Sequence, residues 1–139
     1  MDERVVLDAG AMLAYLEDEP GAELVDELLA HGDVWMNLIN LGEVTYIVER
    51  ERGVRKADEI FAELTADQQS NGRPPLHWIP VDARLVRQAS RFKAGRGLSY
   101  ADAFAAASAK LLDCPLVACR DDEEFQAVEP LGVKIHWIP

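Results

Sequence analysis

The chain has 139 residues, a length typical of one domain and short for two. Hydrophobic residues make up 49% of it and charged residues 28%, which predicts one buried core and excludes a disordered chain. The 25 acidic and 14 basic side chains give a formal net charge of −11, which excludes a uniformly basic coat for nucleic acid. An enzyme that acts on nucleic acid stays open, because an acidic metal site and a local basic patch can coexist.

The N-terminus and the cysteines define the expected compartment. The sequence begins MDERVV, which is no signal peptide, and no apolar run approaches the roughly 18 residues of a membrane span. Cys114 and Cys119 have no histidine or third cysteine nearby, so they predict no zinc site. We therefore expect a single cytoplasmic domain over residues 1–139, with reduced cysteines and no membrane contact.

Short apolar runs alternate with helical segments from one end of the chain to the other. The first run, 4–7, contains two valines and predicts a buried strand that ends just before Asp8. The other predicted strands are 34–36, 76–81, 116–119 and 133–137. The predicted helices are 11–17, 22–30, 38–52, 54–69, 82–95 and 99–112, with a loop at 71–75 and a short turn or helix at 122–127.

This alternation predicts an α/β sandwich with a mostly parallel sheet. In such sheets the functional crevice lies at the carboxyl ends of the strands. Acidic residues occupy that edge. Asp8 follows the first strand, Asp121 and Asp122 follow strand 116–119, and helices beginning nearby carry Glu43 and Asp102.

Each of these acids also has a simple structural interpretation. Asp8 fits a helix N-cap, Glu43 a solvated helix residue, and Ser99 with Asp102 a capping box. Taken together, however, carboxylates in one pocket repel one another unless a cation neutralises them. Oxygen ligands alone favour Mg²⁺ or Mn²⁺, and a carboxylate-bound ion of this kind is suited to the hydrolysis of phosphodiesters.

Four segments, in this order along nearly the whole chain, resemble the PIN domain and, more narrowly, the VapC-like ribonuclease toxins of bacteria and archaea. They are VVLDAGAMLAYL at 5–16, NLINLGEVTYIV at 37–48, LSYADAFAAASAK at 98–110 and PLVACRDDEEFQAVE at 115–129.

The resemblance implies a three-layer sandwich with about five parallel strands and a Mg²⁺- or Mn²⁺-dependent endoribonuclease. It implies Asp8, Glu43 and Asp102 as catalytic metal ligands, with a fourth acid from 121–122. RNA as the substrate, a homodimer, and a small antitoxin whose tail blocks the site are also implied. The cleaved RNA is expected to carry 5′-phosphate and 3′-hydroxyl ends.

The fourth motif departs from the family pattern by one extra residue. Counting forward from the strand favours Asp121, whereas counting back from Phe125 favours Asp122. We take Asp121 first and keep Asp122 as the alternative.

Two further departures concern the supporting groups. Gly10 stands where a hydroxyl residue is common, and Asn40 stands where Ser or Thr is common. Ser99 is retained and is expected to orient Asp102 or a metal-bound water, with Asn40 in a similar supporting role.

Basic residues cluster around 50–56 and 84–96. Such clusters predict either an RNA path, by pairing with phosphates, or ordinary solvated helix faces. Arg96, three residues before Ser99, and Arg120, next to the fourth acid, are candidate RNA contacts, and Arg91 of the 84–96 cluster is a third.

Two other functions remain open. A haloacid-dehalogenase-like phosphatase also has an Asp after its first strand, but Gly10 occupies the position of its second Asp. A PIN-like module that binds RNA or protein without catalysis is the other alternative.

Overall fold

Five parallel strands form one sheet in the computed structural model, which describes residues 3–67, 72–74 and 76–139. The strands are β1 Arg4–Leu7, β2 Asp33–Asn37, β3 His77–Ile79, β4 Leu116–Cys119 and β5 Ile135–Ile138. Their order across the sheet is β3-β2-β1-β4-β5, and every pairing is parallel. The prediction of a mostly parallel sheet of about five strands is confirmed.

Helices cover both faces of this sheet and complete three layers. They are α1 Ala9–Leu16, α2 Ala22–His31, α3 Leu38–Arg52, α4 Val54–Thr65, α5 Ala83–Lys93, α6 Tyr100–Leu112 and a 3₁₀ helix, Glu123–Leu131. Successive side chains of a strand point to opposite faces. Val5 and Leu7 accordingly pack with α1 to α4, while Val6 packs with α5, α6 and the 3₁₀ helix. No helix of the described ranges is both long and apolar enough to cross a bilayer.

The predicted bounds differ from the observed ones mainly at helix ends. α1 begins at Ala9 instead of 11, because Asp8 caps it directly after β1. α4 ends at Thr65, because Ala66 takes an extended backbone. The predicted continuation of this helix is therefore wrong for residues 66 and 67. The rest of that continuation, and parts of the predicted loop at 71–75, fall on residues 68–71 and 75, which lie outside the described ranges. The 3₁₀ helix continues to Leu131 rather than 127, and β5 is shifted toward the C-terminus.

The carboxyl edge of the sheet is lined by polar residues that begin helices. Asp8 follows β1 and caps α1, and Asn37 ends β2 and caps α3. Ser99 caps α6, whose Asp102 lies in the first turn. These N-cap residues accept hydrogen bonds from helix N–H groups. The starts of the helices thus place polar side chains at the carboxyl edge of the sheet.

Candidate active site

Asp8 is the most buried of the predicted acids, with 2% of its surface exposed. Its Oδ1 accepts a 2.7 Å hydrogen bond from the Ala11 N–H, so the carboxylate is held as the N-cap of α1. Burial raises the pKa of Asp8 well above its ordinary value, the Ala11 N–H opposes that rise, and the charges of the other acids add to it. Those other acids are Asp122, Asp102 and Glu43.

Asp122 is the acid that stands against Asp8. Its Oδ2 lies 2.7 Å from the place that a Cβ of Gly10 would take, and the Asp8 oxygens lie 3.5 and 3.6 Å from that same place. The charge of Asp122 raises the pKa of Asp8, whereas the neighbouring Asp8 carboxyl lowers the pKa of Asp122. Burial, followed by the charges of Glu124 and Asp121, raises the pKa of Asp122.

Asp102 is held by groups on either side of it. The Ser99 Oγ accepts a 3.1 Å hydrogen bond from the Asp102 N–H, and the Ser99 hydroxyl lowers the pKa of the Asp102 carboxyl. Burial and a hydrogen bond to Glu124 raise the pKa of Asp102 to about 7, against the effect of Ser99. Ser99 therefore lies beside Asp102 as the cap of α6.

Glu43 reaches the site from the first turns of α3. The Asn40 Nδ2 donates to the Glu43 Oε1 at 3.4 Å and to the backbone carbonyl of Ala101 at 3.1 Å, so Asn40 joins α3 to α6. Burial raises the pKa of Glu43, Asn40 opposes the rise, and the charge of Asp122 adds to it.

Asp121 lies outside this group. Its side chain is exposed, and it is not among the charges that act on Asp8, Asp102 or Glu43. The turn after β4 thus brings the second aspartate of the pair, not the first, to Asp8. Counting back from Phe125 gives the residue that the geometry favours.

Sequence reasoning missed three polar residues of this region. Glu124 contacts Asp102, and its signal is the acidic run that ends at Phe125. Asn37 and Ser108 are fully buried and bonded to each other, and the signal for Asn37 is its spacing of three from Asn40, typical of an N-cap.

The donor set is chemically suited to a hard divalent cation, since it consists of carboxylates with raised pKa values and no thiolate or imidazole. Among the residues that the structure describes, no three Asp, Glu, His or Cys side chains already form an arrangement that could hold a metal ion. Mg²⁺ usually keeps several waters and binds through only one or two carboxylates, so the pair Asp8 and Asp122 meets that smaller requirement.

Basic side chains are exposed along α5. Arg91 is exposed and, within the described ranges, belongs to no ion pair, as is also true of Arg84, Arg87 and Lys93. The Arg96 Nη1 donates to the carbonyls of Arg91 and Ala94, both at 3.1 Å, and so caps the end of α5. Arg120 is exposed directly before the Asp121–Asp122 turn.

The fold corresponds to a known class of protein. The family model of the PIN domain matches residues 5–130, and the chain therefore belongs to the PIN domain family. Among curated proteins the comparison found no significant match.

Several solved structures share the fold over most of the chain. VapBC2 from Rickettsia felis, bound to a promoter DNA fragment, is 14% identical with a TM-score of 0.69, covering 98% of this chain and 99% of that one. VapBC-1 from nontypeable Haemophilus influenzae is 17% identical with a TM-score of 0.68, covering 96% of both. VapC20 from Mycobacterium tuberculosis, a toxin that cleaves the sarcin–ricin loop, is 17% identical with a TM-score of 0.64, covering 81% of this chain and 86% of that one.

Proposed function

We propose that this protein is a divalent-metal-dependent endoribonuclease and the toxin of a toxin–antitoxin pair. The observation that carries the proposal is that the Asp8 and Asp122 carboxylates both lie beside Gly10 at the carboxyl edge of the sheet, where the charges of Asp102 and Glu43 also raise the pKa of Asp8. Membership of the PIN domain family, whose members are nucleases, supports it. So does the likeness of the fold to VapC20, a toxin that cleaves the sarcin–ricin loop.

Asp8 and Asp122 are the residues that we propose to hold Mg²⁺ or Mn²⁺, with Asp102 and Glu43 completing the site directly or through water. When bound, such an ion polarises a phosphodiester and lowers the pKa of a water molecule. Asp122 takes the role of fourth acid that the sequence assigned first to Asp121, because the Asp121 side chain is exposed.

The remaining groups orient these acids and hold protons. Asn40 fixes Glu43, and Ser99 fixes Asp102. In the metal-free protein the Asp102 carboxyl, hydrogen-bonded to Glu124, gains or loses its proton near neutral pH. Supporting groups of this kind keep the ligating oxygens in place.

RNA and a protein partner complete the proposal. Arg91 and Arg120 are proposed to bind RNA phosphates with their exposed guanidinium groups, and Arg96 with the donors that α5 leaves unused. A small antitoxin is proposed to place a cationic side chain against the acidic group and block it. We further propose that the protein acts in the cytoplasm as a homodimer.

Mn²⁺-dependent cleavage of end-labelled RNA by the purified protein tests the enzymatic proposal. We expect cleavage by the wild type and none by Asp8→Asn, with 5′-phosphate and 3′-hydroxyl ends on the products. A folded wild-type protein that leaves RNA intact at saturating Mn²⁺ would instead be the non-catalytic PIN-like module. Growth arrest on expression, relieved by a small protein encoded beside this one, tests the role as a toxin.

A further inference from the structure

Gly10 lies in the first turn of α1, directly beside the acidic group. A Cβ at this position would stand 2.7 Å from the Asp122 Oδ2, closer than real Cβ contacts come. The Gly10 backbone is not in the left-handed region, so its conformation does not call for glycine. Glycine within a helix is also less favourable than alanine. A larger residue at position 10 would therefore fill the space beside Asp122, and it would not strain the backbone.

The Asp122 backbone is anchored, so a contact at its carboxylate would move the side chain rather than the backbone. The Asp122 N–H donates to the Cys119 carbonyl at 2.9 Å, and the Phe125 N–H donates to the Asp122 carbonyl at 3.1 Å. Phe125 is itself fully buried, which fixes the turn against the core. A side chain at position 10 would consequently displace the Asp122 carboxylate without unfolding the turn.

Asp8 has no comparable freedom, because its buried carboxylate is held as the cap of α1. The pair can form only if Asp122 comes to Asp8. We propose that Gly10 is the positioning residue of this pair: its missing side chain leaves the space in which the Asp122 carboxylate stands against Asp8. The effect of Gly10 on metal binding rests on the proposed function, whereas its effect on the position of the Asp122 carboxylate does not.

The test is a double-mutant cycle of Gly10→Ala and Asp122→Ala, with Gly42→Ala as the matched control. Gly42 is an exposed helical glycine of α3, and no atom lies within 4 Å of the place that its Cβ would take, so its substitution adds a methyl group without a contact. Mn²⁺ affinity is measured by calorimetry, and the thermal midpoint of unfolding is measured in EDTA.

We expect Gly10→Ala to weaken Mn²⁺ binding by about 10- to 100-fold, as the loss of an orienting group typically does. Asp122→Ala should weaken Mn²⁺ binding by as much as Gly10→Ala does, and the double variant should bind Mn²⁺ no more weakly than either single variant. Gly42→Ala should leave the Mn²⁺ affinity unchanged. Unchanged Mn²⁺ affinity in Gly10→Ala, beside a loss in Asp122→Ala, would overturn the proposal.

The unfolding data in EDTA keep the proposal testable even if the wild type binds no Mn²⁺, an outcome that would count against the proposed function alone. Gly10→Ala should shift the midpoint differently with and without the Asp122 carboxylate, while Gly42→Ala should give the same shift in both backgrounds. Equal shifts for Gly10→Ala in the two backgrounds would show that residue 10 does not seat Asp122.

Discussion

Asn37 and Ser108 are 71 residues apart in the sequence, yet the Asn37 Nδ2 donates a 3.0 Å hydrogen bond to the Ser108 Oγ in the interior. The same nitrogen donates to the Asn40 Oδ1 at 2.7 Å, and the Asn37 Oδ1 accepts from the Asn40 N–H at 2.9 Å. Asn37 therefore ties α3, which carries Glu43, to α6, which carries Asp102.

Replacing Asn37 with alanine should destabilise the protein. The change removes the cap of α3, worth about 1 kcal/mol, and leaves buried partners unsatisfied, at about 1–3 kcal/mol. Urea unfolding followed by circular dichroism measures the loss. Ser108→Ala is the control with the smaller expected effect, because Asn37 keeps its bonds to Asn40. Equal losses in the two variants would contradict the role given to Asn37.

Asp8→Asn should stabilise the metal-free protein at neutral pH, by on the order of 1 kcal/mol, a typical size for a single substitution. Asparagine caps a helix as well as aspartate does, but it carries no charge to repel the other acids. Chemical denaturation in EDTA measures the change. Asp82→Asn is the matched control, since Asp82 caps α5 in the same way but is exposed. A loss of stability in Asp8→Asn would refute the electrostatic account.

The stability of the metal-free protein should fall as the pH rises from about 4 to about 7. The pKa of Asp102 is about 7 in the folded state, raised by burial and Glu124 from an ordinary 3.8. The folded state binds this proton more tightly than the unfolded state does. The stabilisation that the proton provides is therefore complete below the pKa of the unfolded state, and it is lost as the pH rises through the pKa of the folded state. Unfolding free energies at a series of pH values should show this slope, and Asp102→Asn should flatten it. An unchanged slope in Asp102→Asn would assign the pH dependence to other groups.

Mn²⁺ should stabilise the wild type and Asp121→Asn alike, but not Asp122→Asn. A ligand at about 100 times its Kd adds about 2.7 kcal/mol to the free energy of unfolding. The two variants lose the same charge from neighbouring residues, so only the place of the carboxylate differs. Thermal melts with and without Mn²⁺ provide the comparison. Loss of the Mn²⁺ effect in Asp121→Asn alone would return the fourth acid to Asp121.

Arg91→Gln should make RNA binding less dependent on salt. Each phosphate contact on a single strand contributes about 0.7 to the slope of log K against log salt. Fluorescence anisotropy in EDTA measures this slope without cleavage. Lys56→Gln is the control, because Lys56 is already paired with Glu59 on α4. Equal slopes for wild type and Arg91→Gln would remove Arg91 from the RNA path.

The layered fold could be predicted because its signals are local. Apolar runs such as 4–7 and 116–119 indicate buried strands. Helices between successive strands are typical of parallel sheets, because a helical crossover joins one strand to the next. The end of α4 could not be predicted in the same way, since the helical pattern continues past Thr65 while the chain turns at Ala66.

The part of the candidate site that could be predicted consists of the acids that directly follow strands. The choice between Asp121 and Asp122 was not, because one residue in a turn reverses which side chain points inward. That choice depends on the space beside Gly10 and on the anchoring of Phe125, neither of which is visible in a local pattern. The tie between Asn37 and Ser108 is likewise a tertiary contact that spacing cannot reveal.

The central claim is that the carboxylates at this edge bind a divalent ion, and anomalous diffraction from crystals soaked in Mn²⁺ tests it most directly. We predict an anomalous peak at roughly 2 Å from oxygens of both Asp8 and Asp122, the distance typical of a small hard cation. Crystals that take up Mn²⁺ elsewhere but show no peak at Asp8 would contradict the claim.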